Sequence, residues 1–167
     1  MKKISEFSLS LACSLVCIAA HAAPDADVIG YVKTSTFDSS VWLDGKATAA
    51  QPGLALRRGS VLRSGKQGSI GATFKDSTIV AIGPDSEFAI DDYLYEPGKG
   101  DLKFSATVTK GSLYYVPGVI AKLKPDAVSF KTPTGAIEAR GSRFLAHVEG
   151  GDESVVARAG VTPGVGR

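Results

Sequence analysis

Cysteine is the first scarcity: the chain has two, Cys13 and Cys17, both within its first 22 residues. That opening segment reads as removable. Lys2 and Lys3, an apolar run from Phe7 to Ala20 and the exit Ala20-His21-Ala22 form the basic start, short apolar centre and small-x-small end of a secretory signal peptide. The run falls short of the roughly 20 apolar residues of a membrane span. Val16 before Cys17, and Ser10-Leu11-Ala12 before Cys13, match a lipidation box poorly. Once residues 1–22 are removed, the mature chain is expected to lack any disulfide, thiol nucleophile or thiolate metal site. The 145 residues that remain suffice for one domain whose core needs no covalent staple.

Histidine is nearly as rare, with His147 alone after the signal. A transition-metal site would then rest on carboxylates, which suit hard cations better. His147 sits in an apparent strand and reads as structural. Ser60, Ser112 and Ser142 lack a nucleophile elbow and share that single histidine as a partner. No metal, no cofactor and no enzymatic activity is expected. Charge of one sign is scarce too. Lys2, Lys3 and Glu6 leave with the signal, so 17 basic residues face 16 acidic ones, without the clustering that nucleic acid requires. No second apolar stretch of spanning length follows. The mature chain is expected to be soluble and periplasmic or secreted, with no transmembrane segment.

What is present is β-structure and turns. Runs rich in β-branched and aromatic residues predict strands over 28–32, 60–63, 69–74, 78–82, 87–90, 102–109, 112–116, 127–131, 136–139 and 143–148. Asp44-Gly45, Pro52-Gly53, Ser64-Gly65, Pro84-Asp85, Pro97-Gly98 and Pro117-Gly118 punctuate them. Alternation places Ile70, Ala72 and Phe74 on one face, and Ile79 and Ala81 together on another. The pattern predicts an all-β, single-domain sandwich or β-roll with short, solenoid-like winding of strands. The domain is expected over 23–149, followed by a Gly-rich tail over 150–167. A basic-Gly-Ser motif recurs at Arg58-Gly59-Ser60, Lys110-Gly111-Ser112 and Arg140-Gly141-Ser142. Its unequal spacing excludes a repeat period, and it reads as turn chemistry in which Gly supplies a positive φ.

For recognition, Asp91-Asp92-Tyr93-Leu94-Tyr95-Glu96 gathers three carboxylates and two aromatic rings. It reads as a loop on a rigid scaffold, with Asp91, Asp92, Tyr93 and Tyr95 as the candidate contact surface. The competing reading packs Tyr93 and Leu94 beneath the loop. Trp42, Tyr114 and Tyr115 are further candidates, although alternation sends one of that tyrosine pair inward.

Several phrases resemble those of FecR-domain proteins over residues 54–148. They are the opening Leu54 to Gly65, the central Phe74-Lys75-Asp76-Ser77-Thr78 with Pro84-Asp85-Ser86-Glu87-Phe88-Ala89-Ile90, the step Lys110-Gly111-Ser112-Leu113, and the closing stretch from Lys131-Thr132-Pro133 to Arg140-Gly141-Ser142-Arg143-Phe144. The resemblance marks Asp76, Ser77, Pro133, Arg140, Gly141 and Ser142 as structural motif positions. Arg140 is read as bonding backbone carbonyls at a sheet junction through its planar fork. The resemblance implies a periplasmic domain that transmits or binds rather than catalyses. In the regulator that named the family, such a domain reads an outer-membrane transporter and signals across the inner membrane to a sigma factor. This chain has an export signal where that regulator has a cytoplasmic segment and a transmembrane helix, so a free-standing module is expected. Its expected partner is a periplasmic or outer-membrane protein, a small ligand or a glycan. The alternative is a carbohydrate- or peptidoglycan-binding or structural envelope protein.

Overall fold

A computed structural model describes residues 27–139 and 141–149. The signal segment, the Gly-rich tail and Arg140 lie outside the described residues. Twelve strands follow one another: β1 (Val28–Ser35), β2 (Ser39–Leu43), β3 (Lys46–Ala49), β4 (Ala55–Arg57), β5 (Val61–Ser64), β6 (Ile70–Phe74), β7 (Ile79–Ile82), β8 (Glu87–Glu96), β9 (Asp101–Val116), β10 (Val128–Thr132), β11 (Gly135–Glu138) and β12 (Phe144–Val148). One short helix, α1 (Val119–Leu123), interrupts them between β9 and β10. No described helix is long and apolar enough to cross a membrane.

The strands form one sheet folded into two layers, and β9 belongs to both. Layer one runs β4-β1-β6-β7-β9-β12, using the C-terminal part of β9. Layer two runs β3-β2-β5-β8-β9-β10-β11, using its N-terminal part. The bend falls at Gly111, whose φ of 88° is open to glycine but strained for other residues. Where the sequence predicts two strands over 102–109 and 112–116, the chain therefore runs through as one. It passes repeatedly between layers, as the predicted winding requires, and β9–β10 is the parallel pairing in an otherwise antiparallel sheet.

Between the layers lies an aromatic core. Phe74 of layer one meets Phe104 of layer two at 5.0 Å, and Tyr115 meets Phe130 at 4.9 Å. Phe130 also lies edge-on to Phe144 at 5.4 Å. Tilted and edge-on rings at these separations add to the burial itself. Alternation delivers these side chains: Ile70, Ala72 and Phe74 point inward as expected, and Ile79 shares the outer face of β7 with Ala81.

The turn signals carry their expected geometry. Asp44 and Gly45 both have positive φ between the paired Leu43 and Lys46, as a type I′ hairpin demands. They join β2 and β3, two short strands outside the predicted set: Ser39–Leu43 opens on two serines, and Lys46–Ala49 holds a lysine and three small residues. In the basic-Gly-Ser motif all three glycines, Gly59, Gly111 and Gly141, have positive φ. The expected positive φ holds for all three, but Gly111 bends the continuous strand β9 instead of forming a turn before a new one. Ser60 completes the Gly59 turn by accepting the Arg57 amide at 3.0 Å.

Candidate functional site

The stretch from Asp91 to Glu96 is not a loop. It is the second half of β8, paired with β9 from Asp92↔Ser105 to Glu96↔Asp101. A register shift between Ile90 and Asp92 resets the alternation, and this bulge lets two acids stand side by side without ending the strand. The bulge explains the misreading, because two consecutive polar residues look like a strand's end.

The four candidate contact residues therefore part company. Asp91 and Asp92 face outward on layer two, where cations and hydroxyls already hold them. Asp91 Oδ2 accepts Thr107 Oγ1 at 2.8 Å and lies 3.6 Å from Lys131 Nζ, while Asp92 Oδ2 lies 2.7 Å from Lys103 Nζ. The hydrogen bond from Lys103, reinforced by its charge, holds the Asp92 carboxyl below the ordinary carboxylate range. Tyr93 points the other way and is buried in the core, stacked 5.6 Å from Phe74 and edge-on to Phe104. Its burial favours the competing reading for it, and it also lines the cleft that Tyr95 borders. Leu94, by contrast, is exposed. Tyr95 packs half-buried against the core and borders an open cleft of about 230 Å³, together with Asp27, Ile29, Arg58, Lys75 and Glu96.

Tyr93 leads instead to Asp76, the most connected polar residue of the interior. Asp76 is fully buried at the β6–β7 turn. Its Oδ1 accepts the Thr78 amide and the Tyr93 hydroxyl, each at 3.2 Å. Its Oδ2 accepts Thr78 Oγ1 at 2.7 Å and the Ile120 amide at 3.3 Å. The Asp76 amide donates to the Tyr93 oxygen at 2.9 Å, and its carbonyl accepts the Val119 amide at 2.7 Å. One carboxylate thereby ties β8 and the start of α1 to the β6–β7 turn. Burial, then the neighbouring Asp76 charge, raises the Tyr93 hydroxyl well above the usual tyrosine range. The same two causes raise Tyr115.

The flanking motif residues serve this hub. Ser77 has a φ of 67°, the left-handed region that favours glycine. Gly118 lies so close that a Cβ there would meet the Thr78 amide and the Asp76 carbonyl. In the closing phrase, Pro133 takes the first position of the two-residue turn between Thr132 and Gly135. Ser142 closes a turn through its amide to Ala139 O at 2.8 Å, around Gly141 at φ 73°.

Elsewhere, Trp42 lies under the Arg63 guanidinium at 4.7 Å. Tyr115 is the buried member of its pair, and Tyr114 faces outward. His147 accepts or donates at Nδ1 to Ser112 Oγ at 3.0 Å on the outer face of layer one. No carboxylate among the described residues is hydrogen-bonded to that imidazole to complete a relay, and no cluster of three metal-ligating side chains occurs among them.

Among the described residues, the Asp76 carboxylate and its partners brace the two-layer β scaffold from within. The family model described as FecR protein matches residues 60–161, more than half of the chain. The chain belongs to the FecR family, whose members are signalling-related modules. The match runs past Glu149 into the segment read as the Gly-rich tail. Neither the curated proteins nor the solved structures yield a match.

Proposed function

We propose that the mature chain works in the periplasm as a non-catalytic sensing or protein-binding module. The FecR-family match carries this reading, since it covers the hub, the closing turn and every described strand from β5 onward. The architecture supports it physically. Antiparallel pairing in both layers and the Asp76 hub hold the outer faces in place before any partner arrives, so little ordering entropy opposes association.

Two measurements on one preparation test the proposal. Osmotic-shock fractionation followed by mass spectrometry is expected to find the protein in the periplasm with Ala23 first. An intact Met1, or a lipidated Cys13 or Cys17, would contradict export in this form. Affinity capture from periplasmic extract is then compared with retention on purified peptidoglycan. A saturable protein partner supports sensing, whereas retention on glycan alone supports the carbohydrate-binding or structural alternative.

A further inference from the structure

Of the large apolar side chains left exposed, Tyr31, Ile79, Tyr114 and Leu145 share the outer face of layer one, with 43%, 41%, 38% and 51% of their surfaces open. Pairing makes them contiguous. Tyr31 lies opposite Thr73, Thr73 opposite Ile79 and Ile79 opposite Val116, forming one row across β1, β6, β7 and β9. The next row runs Gly71, Ala81, Tyr114, Leu145 from β6 to β12. Side chains directly opposite each other on one face stand within about 5.5 Å at Cβ, so the two rows form one patch.

Charge is divided between the layers in the same way. The carboxylates described on the strands, Glu87, Asp91, Asp92, Glu96 and Asp101, all belong to layer two. Four of them are matched there by lysine or arginine: Glu87 with Arg63, Asp91 with Lys131, Asp92 with Lys103 and Glu96 with Lys99. The layer-one strands carry none, and Glu149, exposed one residue beyond β12 on the same alternation as Leu145, is the carboxylate at this face's edge. Lys33 stands exposed on β1 at one side of the patch. Arg143, on the same alternation as Leu145, stands exposed at the other. Neither has an ion-pair partner among the described residues.

We infer that the outer face of layer one is the docking surface, and that its occupant is a protein segment with an apolar centre and an acidic rim. This deepens the protein-binding reading and rests on it. A second copy of the chain is disfavoured, because a symmetric face-to-face pair would bring together two cations, Lys33 and Arg143, and a single carboxylate, Glu149, from each copy. An anionic lipid surface is disfavoured as well. Stable electrostatic attachment takes about four to eight clustered cations, and this face offers far fewer.

The test places the photoreactive residue benzoylphenylalanine at Tyr114 and, as the layer-two control, at Leu94 in the full chain inside the producing cell. The polypeptide crosslinked from position 114 is identified, purified and titrated with the wild-type protein. It is also titrated with the Tyr114→Ser/Leu145→Ser and Lys33→Glu/Arg143→Glu pairs, after circular dichroism shows each folded. A crosslink at 114 but not 94, at least tenfold weaker binding by both pairs, and wild-type affinity falling with added salt are the expected results. Crosslinking only at 94, or affinity that neither pair changes, would overturn the surface assignment while leaving a protein-binding module. Crosslinks from 114 solely to copies of this chain would overturn the acidic partner. Absence of any protein crosslink, with retention on peptidoglycan or phosphatidylglycerol vesicles, would overturn the inference and the protein-binding reading together.

Discussion

Asp76 brings the β6–β7 turn, β8 and α1 to one carboxylate, and the consequences are measurable residue by residue. Asp76→Ala would strand the Thr78, Tyr93 and Ile120 donors in the interior. We expect a loss of about 3 kcal/mol or more in urea denaturation, against less than about 1 kcal/mol for Asp91→Ala on the exposed outer face. Ser77→Gly should stabilise the protein by up to about 1 kcal/mol, because the left-handed backbone there strains any Cβ. Gly141→Ala should destabilise it by about 1 kcal/mol or more, because Ala is strained at that positive φ. The alkaline limb tests Tyr93 and Tyr115. Their folded-state pKa values lie above the ordinary value of about 10, so their contribution is complete below that pH and is lost as pH rises beyond it. Their phenolate absorbance should therefore appear together with loss of the far-ultraviolet β signal, and its appearance from intact protein would remove them from the core. Asp76 and Ser77 were legible as motif positions in the sequence. Tyr93 was not recognisable as their partner, because a hydrogen bond across 17 positions leaves no local trace.

At the scale of elements, two strands carry the architecture and both hide an irregularity. β8 continues through Asp91 and Asp92 by means of its bulge, and β9 turns from one layer to the other at Gly111. A Cβ at position 111 would meet the Ser86 side chain and backbone while forcing a strained φ. Gly111→Val is accordingly expected to destabilise by more than about 2 kcal/mol and to loosen both layers together. Loss of protection in one layer alone, measured by hydrogen exchange, would show that β9 is not their shared element. Period-two patterning was readable wherever it is unbroken, as in β6 and β12, and the Asp44-Gly45 turn was readable from its dipeptide. The long strands were not, since a bulge and a bend interrupt the very signal that marks a strand.

Among the described strands, the carboxylates lie on layer two, and four of the five exposed large apolar side chains, all but Leu94, lie on the outer face of layer one. Segments such as Leu113-Tyr114-Tyr115-Val116 and Phe144-Leu145-Ala146 are apolar on both sides of the strand, and that excess is the sequence signal of a second face to cover. Which strands share a layer follows from pairings between distant segments, so the sorting emerged only with the topology. The central claim is that the acidic, tyrosine-bearing segment belongs to the scaffold and leaves recognition to the opposite layer. Amide hydrogen exchange over residues 91–96 of the free protein tests it most directly. Protection well above that of exposed turns is the predicted result at the amides bonded to β9, because residues 92–96 are paired with β9 although β5 reaches only residues 87–89. Exchange as fast as in exposed turns would restore the segment to a recognition loop and contradict the account.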